Sequence, residues 1–517
     1  MSLSVASILA ESASRSPGAP AVVLGDTAVT YGDLWQSTRR YAAVLRGRGI
    51  EPGDRVALLL PNVPDFPRTY YAVLALGAVV VPVHALLTAD DIAYLLNNSG
   101  ARLLVCAGPL LATGAKGAEL AGVPVLAVLD GGDATVERLD VLATGVTPVA
   151  TYASRAATDA AVILYTSGTT GRPKGAVLSQ LNLVLNASIT ATDVAHMTPD
   201  DVILGCLPLF HSFGQTCAMN AGFWAGSTLV LMPRFDGPAA LDLLIRHHVT
   251  IFEGVPTMYL GLLEAARTDE RRPRLKVACS GGAALPLAAL EAFSDVFGAE
   301  ISEGYGLSET SPVATFNQDV YGRKPGTVGR PVWGVEVAIA RADVEDRVES
   351  LPVGEIGEVV IRGHNVMSRY HDDPAATAAA IVDGWFRSGD LGTLDEDGFL
   401  TIVDRKKDMV LRGGFNVYPR EIEEVLVRHP AIAQVAVIPV PDERYGEEIC
   451  AVVVRDASAA GTDEDDLRAE VLGWGRERLA GHKYPRRVEF IDAMPLGPSG
   501  KVLKRELVAA FREQGSR

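Results

Sequence analysis

What most constrains this chain is an alternation, through most of its first four hundred residues, of short β-branched runs with amphipathic helical stretches. "DRVALLL", "AVVVPV", "RLLVCA" and "VPVLAVL" are nearly continuous apolar segments, the pattern of strands buried on both faces. "TYGDLWQSTRRYAAVLRGRG" is amphipathic and closes on glycines, as a helix does at its end. Such alternation suggests layers of helices on largely parallel sheets. The longest apolar stretch, "YYAVLALGAVVVPVHALL", is interrupted by Gly77, Pro82 and His84. It reads as a buried helix followed by a buried strand, and no transmembrane segment is expected.

From about Val353 the texture changes. "EIGEVVIRG" and "WFRSGDLGTLDEDGFLTIVDR" are strands punctuated by Gly and Asp-Gly turns, which predicts a β-rich module. Charge and glycine concentrate at "DRKKDMVLRGG" (404–414). Beyond lies a small α/β unit, in which "YPREIEEVLVRHP" sets Ile422, Val425 and Leu426 on one helical face with Pro419 at its start. A boundary is therefore expected at 405–407, between an N-terminal domain (1–404) and a C-terminal one (408–517). The 517 residues exceed what one hydrophobic core usually spans, so at least two domains also follow from length.

Sixty-three acidic against 47 basic residues give −16, spread along the chain, which argues against general nucleic-acid binding. An anionic ligand can still be held locally by glycines, helix N-termini and a few lysines. The five cysteines are scattered and form no C-x-x-C pair, which favours a reducing cytoplasm without a disulfide framework or zinc site. The opening "MSLSVASILAESASRSPG" lacks a basic segment followed by an apolar core, so no secretory signal is expected.

One loop stands out chemically. "YTSGTTGRPKGAVLS" (165–179) gathers the hydroxyls of Thr166, Ser167, Thr169 and Thr170, the glycines 168, 171 and 175, and Lys174. Glycines let backbone amides approach an anion closely, and the lysine adds a point charge. A solvated turn between strands is the alternative; the density of donors favours phosphate binding. The spacing is not that of the Walker loop, because Lys174 follows Arg172-Pro173 and precedes Gly175.

"YTSGTTGRPKG" closely resembles the signature loop of the adenylate-forming superfamily of acyl-CoA synthetases, peptide-synthetase adenylation domains and luciferases. Eight further motifs stand in that family's order: "PLFHSFGQ", "SGGAALP", "EGYGLSET", "GTVGRP", "WFRSGD", "DRKKDM", "GGFNVYPREIE" and "PSGKVLKREL". The resemblance covers nearly the whole chain. It implies a large N-terminal domain of layered α/β sheets with the β-rich module, plus a small mobile C-terminal α/β domain hinged at Lys407. The implied reaction is ATP-dependent activation of a carboxylic acid to acyl-AMP with release of pyrophosphate, then transfer to coenzyme A. Bringing a carboxylate to a phosphate demands cations, a metal and rigid positioning.

By the same resemblance, the ATP/AMP site is drawn from Thr166 to Gly171 and Lys174, from Gly281, Gly282 and Ala283, and from Glu303 to Gly306 with Ser308. Tyr305 would stack on adenine, Asp390 accept the ribose hydroxyls, and Arg405 contact ribose and phosphate. Glu309, with Thr166, would hold Mg²⁺, an ion suited to hard oxygen ligands. Lys501 would bridge the acyl carboxylate and α-phosphate. His211 would gate an acyl tunnel lined by Phe213, Phe252, Val255 and Gly306, and Gly413-Gly414 would line the coenzyme A path. Read singly, Gly281-Gly282 and Asp390 are equally turn residues, "DRKKD" a solvated patch, and His211 a core histidine.

Malonate-activating relatives carry an arginine just before the motif tyrosine, where this chain has Gly304. Leu209, Phe210 and the tunnel residues are apolar or small. A hydrophobic monocarboxylic acid is therefore expected, medium- to long-chain fatty acids ahead of aryl-propenoic acids. The alternative is an acyl-AMP ligase that loads a carrier protein; against it stand the absence of an obvious insertion and a chain end 16 residues past Lys501. A homodimer is compatible with the family. His84-Ala85 replaces the Asn-Pro of many relatives, and the sequence offers no reason for it.

Overall fold

A computed structural model describes residues 3–133, 135–166, 172–459, 461–496 and 502–512. The chain forms two compact units, one of residues 1–337 and 361–386, the other of residues 338–360 and 387–517.

In the first unit the alternating pattern folds as expected. "YYAVLALGAVVVPV" falls on the helix Asp65–Ala75 and the strand Val79–Pro82. A seven-stranded sheet runs in the order Arg369–Tyr370, Lys174–Ser179, Ala160–Thr166, Val79–Pro82, Arg55–Leu59, Ala101–Ala107, Val125–Val128. Its pairings are parallel except where Lys174–Ser179 runs antiparallel to both neighbours. The donor-rich loop thus joins two antiparallel strands, with Thr166 opposite Lys174. Ser179 ends the second strand and caps the helix Gln180–Ile189 in a reciprocal box with Asn182, which fixes how the chain leaves the loop.

The second sheet has nine strands, in the order Arg330–Pro331, Val313–Phe316, Ile301–Gly306, Val277–Ser280, Ile251–Gly254, Val202–Gly205, Thr228–Leu231, Pro20–Leu24, Thr27–Thr30. From Pro20–Leu24 to Ile301–Gly306 every pairing is parallel. Register aligns Phe252 with Ala278 and Ile301, Glu253 with Cys279 and Ser302, and Gly254 with Ser280 and Glu303. Leu204, Phe252, Tyr259 and Phe293 belong to one buried core on this sheet. The carboxyl ends of its parallel strands carry the glycines that the sequence singles out, the position at which α/β sheets take their ligands.

The second unit contains the turn-rich strands. Trp385–Leu394 pairs antiparallel with Leu400–Arg405, placing Asp390 opposite Arg405. A further sheet orders Phe415–Val417, Val410–Arg412, Gly446–Arg455 and Ile432–Asp442, with Arg487–Phe490 parallel beside Gly446–Arg455. Ile422 and Leu426 of the amphipathic helix pack on this sheet with Val437, Ile449 and Val471. Residues 387–404 group with the C-terminal segment, so the stretch 405–407 lies inside this unit. Buried Asp404 accepts hydrogen bonds from the amides of Arg405 and Arg420, and Arg420 donates to the Ile402 carbonyl, which ties that strand to the following helix. Among the described residues no helix is long and apolar enough to cross a membrane.

Candidate active site

Residues of two separate motifs, the donor-rich loop and "EGYGLSET", meet in the first unit. Glu309, buried in the short turn Ser308–Thr310, presents Oε1 to the Thr166 hydroxyl at 3.2 Å. The Tyr370 hydroxyl donates to the same oxygen at 2.9 Å. The Lys174 ammonium lies 5.4 Å from the Tyr370 ring centroid. The Glu309 carbonyl accepts from the Met367 amide at 2.7 Å, so main chain as well as side chain is held. Tyr370 is not legible as functional in the sequence, because it stands 61 residues from Glu309 and outside every motif that carries the family resemblance. Burial, then the charge of Glu309, pushes its phenol well above the ordinary range, so it stays protonated and donates.

This donor set fits Mg²⁺. One buried carboxylate and a hydroxyl are hard oxygen ligands, and that ion is usually held by one or two carboxylates with substrate phosphates completing the shell. Among the described residues no group of three His, Cys, Asp or Glu could hold a metal unaided. Ser167, Gly168, Thr169, Thr170 and Gly171 lie outside the described residues, as does Lys501.

At the strand ends, close packing accounts for the glycines. A Cβ on Gly281 would stand 3.3 Å from the Phe213 ring and 3.6 Å from the Gly304 carbonyl oxygen. Phe213 therefore lies against the residue that follows the strand Val277–Ser280. A Cβ on Gly304 would meet Phe316 at 2.6 Å, and one on Gly306 would meet the Pro312 carbonyl oxygen at 1.7 Å. Gly282 has φ +82° and, with Ala283, is exposed. Tyr305 is half-buried between its two glycines, opposite Thr315, and Ser308 is half-buried beside Glu309. Glu303 is buried with Oε1 at 3.4 Å from the Leu285 amide. Its carboxylate is thus engaged by the segment leading into the next helix.

The gate loop is built by a residue that sequence reasoning passed over. Buried Asn62 donates to the carbonyls of Gly205, Leu207 and Met232 and accepts from the Leu209 amide. One polar residue in "LLLPNVPDF" thereby fixes the run that leads to His211. His211 Nδ1 accepts from the Phe213 amide at 3.3 Å, so the ring is oriented by its own turn. His84, the unexplained departure, sets its ring edge-on to Phe210 at 4.4 Å, beside this loop. Val255 is nearly buried just past its strand. Phe252 was expected in the acyl lining; the structure places it in the core instead, edge-on to Tyr259 with a centroid distance of 5.0 Å. Side chains alternate along a strand, and its position turns it toward the helices that carry Tyr259 and Phe293.

In the second unit, Asp390 and Arg405 form an ion pair of 3.4 Å, the carboxylate largely buried and the guanidinium half-exposed. The Asp390 amide donates to Ser388 Oγ, which fixes the turn. Lys407 is exposed, and its ammonium pKa is pushed down, first by partial desolvation and then by Arg405. Gly413 and Gly414, with φ +57° and +84°, make the turn between Val410–Arg412 and Phe415–Val417. Both lie in the left-handed region that favours glycine. A buried bidentate pair, Arg412 with Glu448 at 2.6 and 2.8 Å, anchors that turn, and Tyr445 lies 4.2 Å from the Arg412 guanidinium.

Comparison with known proteins agrees with this geometry. The family model described as AMP-binding enzyme matches residues 9–371, and that of the AMP-binding enzyme C-terminal domain matches 421–501. The chain belongs to the AMP-binding enzymes. It is 34% identical to a long-chain-fatty-acid–CoA ligase of Bacillus subtilis, over 97% of this chain and 93% of that protein. It is 38% identical to a feruloyl-CoA synthase of an Amycolatopsis species, over 96% and 97%. The crystallised benzoate CoA ligase of Burkholderia xenovorans superposes with a TM-score of 0.88 at 29% identity, over 98% of this chain and 99% of that one. The chain is thus an AMP-forming acyl-CoA synthetase, taking a small-molecule acid, ATP and coenzyme A.

Proposed function

We propose that the acid is a hydrophobic monocarboxylic acid, medium- to long-chain fatty acids foremost. The observation that carries this is Gly304. Phe316 occupies the space a side chain there would need, 2.6 Å from the would-be Cβ, so no cation can be placed at that position to hold a distal carboxylate. Burying a second carboxylate without a partner costs several kcal/mol, whereas each buried methylene contributes about 0.8 kcal/mol. The likeness to the Bacillus ligase supports the same reading. An aryl-propenoic acid is the second reading, supported by the feruloyl-CoA synthase at 38% identity.

In this proposal Thr166 and Glu309 hold Mg²⁺, which supplies charge neutralisation on the phosphates when bound. Lys174 offers its charge to the same phosphates, and Tyr370 keeps the Glu309 carboxylate in place. Tyr305, with Gly281 to Ala283, lines the adenine; Asp390 takes the ribose hydroxyls and Arg405 the ribose and phosphate. Lys501 serves adenylation, Lys407 is the hinge residue, and the Gly413-Gly414 turn serves thioester formation. Coenzyme A rather than a carrier protein is the acceptor. Five free, buried cysteines support work in a reducing cytoplasm. Pyrophosphate release across a panel of acids, with and without coenzyme A, tests the whole. Specificity constants should rise with chain length and then fall; malonate or succinate outperforming octanoate would overturn the substrate assignment.

A further inference from the structure

One buried carboxyl group has no place in the adenylation chemistry. Glu253 lies in the central strand Ile251–Gly254, almost wholly inaccessible, and its Oε2 has no hydrogen-bond partner among the described residues. Which way it faces follows from register. Ile203 aligns with Ile251, and Ile203 Cδ1 lies 2.6 Å from where a Cβ on Gly222 would stand, so this face of the sheet looks toward the helical segment 213–225. Glu253, two residues beyond Ile251, shares that face, while Phe252 points into the opposite core. Cys279 is its register partner on the neighbouring strand. The thiols of Cys279 and Cys217 are both pushed up by burial and, next, by the nearby Glu253, which brings Cys217 of the segment Phe213–Asn220 to the same spot.

These positions set the depth of Glu253. Phe213 covers Gly281 at the mouth. Cys217 is four residues, about one turn, further along the helical segment, and Cys279 is two residues deeper along the strand than Gly281. Glu253 therefore stands about one turn deeper than the contact of Phe213 with Gly281 at the strand ends. Burial pushes its carboxyl up to about 8, so near neutral pH it is mainly the acid, able both to donate and to accept.

We infer that Glu253 is a specificity-determining residue at the floor of the acyl site, and that the acid activated carries a neutral oxygen function, a keto or hydroxyl group, on the part that reaches it. This rests on the acyl-activating reading above and refines its substrate class: a largely apolar body with one hydrogen-bonding oxygen. A buried polar group that its own fold leaves unpaired discriminates in favour of a ligand that pairs it.

The test compares octanoate with octanoates bearing a single oxo or hydroxyl group at successive chain positions, in wild type, Glu253→Gln and Glu253→Leu, by kcat/KM for pyrophosphate release. For the best position, wild type should favour the oxygenated acid at least tenfold over octanoate. Glu253→Leu should invert that ratio below one, whereas Glu253→Gln, whose amide still donates, should keep a preference. The inference is overturned if wild type turns over octanoate and shows no preference at any position, or if the ratio survives in Glu253→Leu. Release with none of these acids would instead overturn the fatty-acid reading beneath it, and the inference with it.

Discussion

Replacing Glu253 with glutamine should stabilise the protein, and by more as pH rises. The carboxyl titrates near 4.5 in the unfolded chain and is pushed up to about 8 by burial in the fold. Between those values the native state keeps a proton that the unfolded state has released. The stability contributed by this protonated group is fully present below about 4.5 and is lost as pH rises through 8. Each pH unit in that window costs about 1.4 kcal/mol, so from pH 5 to pH 8 wild type should lose on the order of 3 kcal/mol relative to the glutamine variant. Cys217 and Cys279, the thiols beside the carboxyl, are both pushed up by burial and stay neutral throughout. They leave the difference to Glu253. For a unit of about 360 residues, 3 kcal/mol corresponds to roughly 4 °C in Tm. Differential scanning calorimetry of both proteins at pH 5, 6, 7 and 8 gives the difference directly. A gap that stays constant with pH, or that favours wild type at pH 8, would show that the carboxylate has a partner in solution and would refute the reasoning.

Tyr370→Phe removes one of two donors to Glu309 Oε1; the Mg²⁺ concentration for half-maximal adenylation should rise about tenfold, while kcat at saturating Mg²⁺ falls much less. An unchanged Mg²⁺ midpoint would separate Tyr370 from the metal site. Lys501→Ala should lower acyl-AMP formation by about 10²–10³ and leave transfer from ready-made acyl-AMP to coenzyme A intact; wild-type adenylation rates would remove Lys501 from that step. Among the described residues, chain neighbours aside, no atom lies within 4 Å of a Cβ built on Gly414, so Gly414→Ala and Gly414→Phe share the backbone strain at φ +84°, about 1–2 kcal/mol, and differ only in bulk. Thioester formation should fall far more in the phenylalanine variant, with adenylation retained in both; equal loss in the two would assign the effect to strain.

Much of the fold is legible because its signals are local. Buried strands such as "DRVALLL" lack alternation, helices close on glycine, and the Gly413-Gly414 turn needs the left-handed backbone that only glycine adopts at little cost. Thr166 and Lys174 are legible for a different reason, since they stand in one short loop dense in glycine, hydroxyl and positive charge, whereas Glu309 is legible only through its motif's resemblance to the adenylate-forming family. What escapes is whatever depends on distant contact. Asn62 and Tyr370 carry no local mark; each becomes functional only where the fold brings it to main chain or carboxylate far away in sequence. Phe252 and Glu253 show the limit most sharply. They are neighbours on one strand, and a chain read residue by residue assigns the aromatic to the acyl site and overlooks the acid. Register reverses the assignment, because alternation commits one of the pair to the core packed by Tyr259 and turns the other toward the helical segment behind the gate. A hydrophobic tally of the motif therefore describes the wall of the site and passes over Glu253, whose buried Oε2 has no hydrogen-bond partner among the described residues.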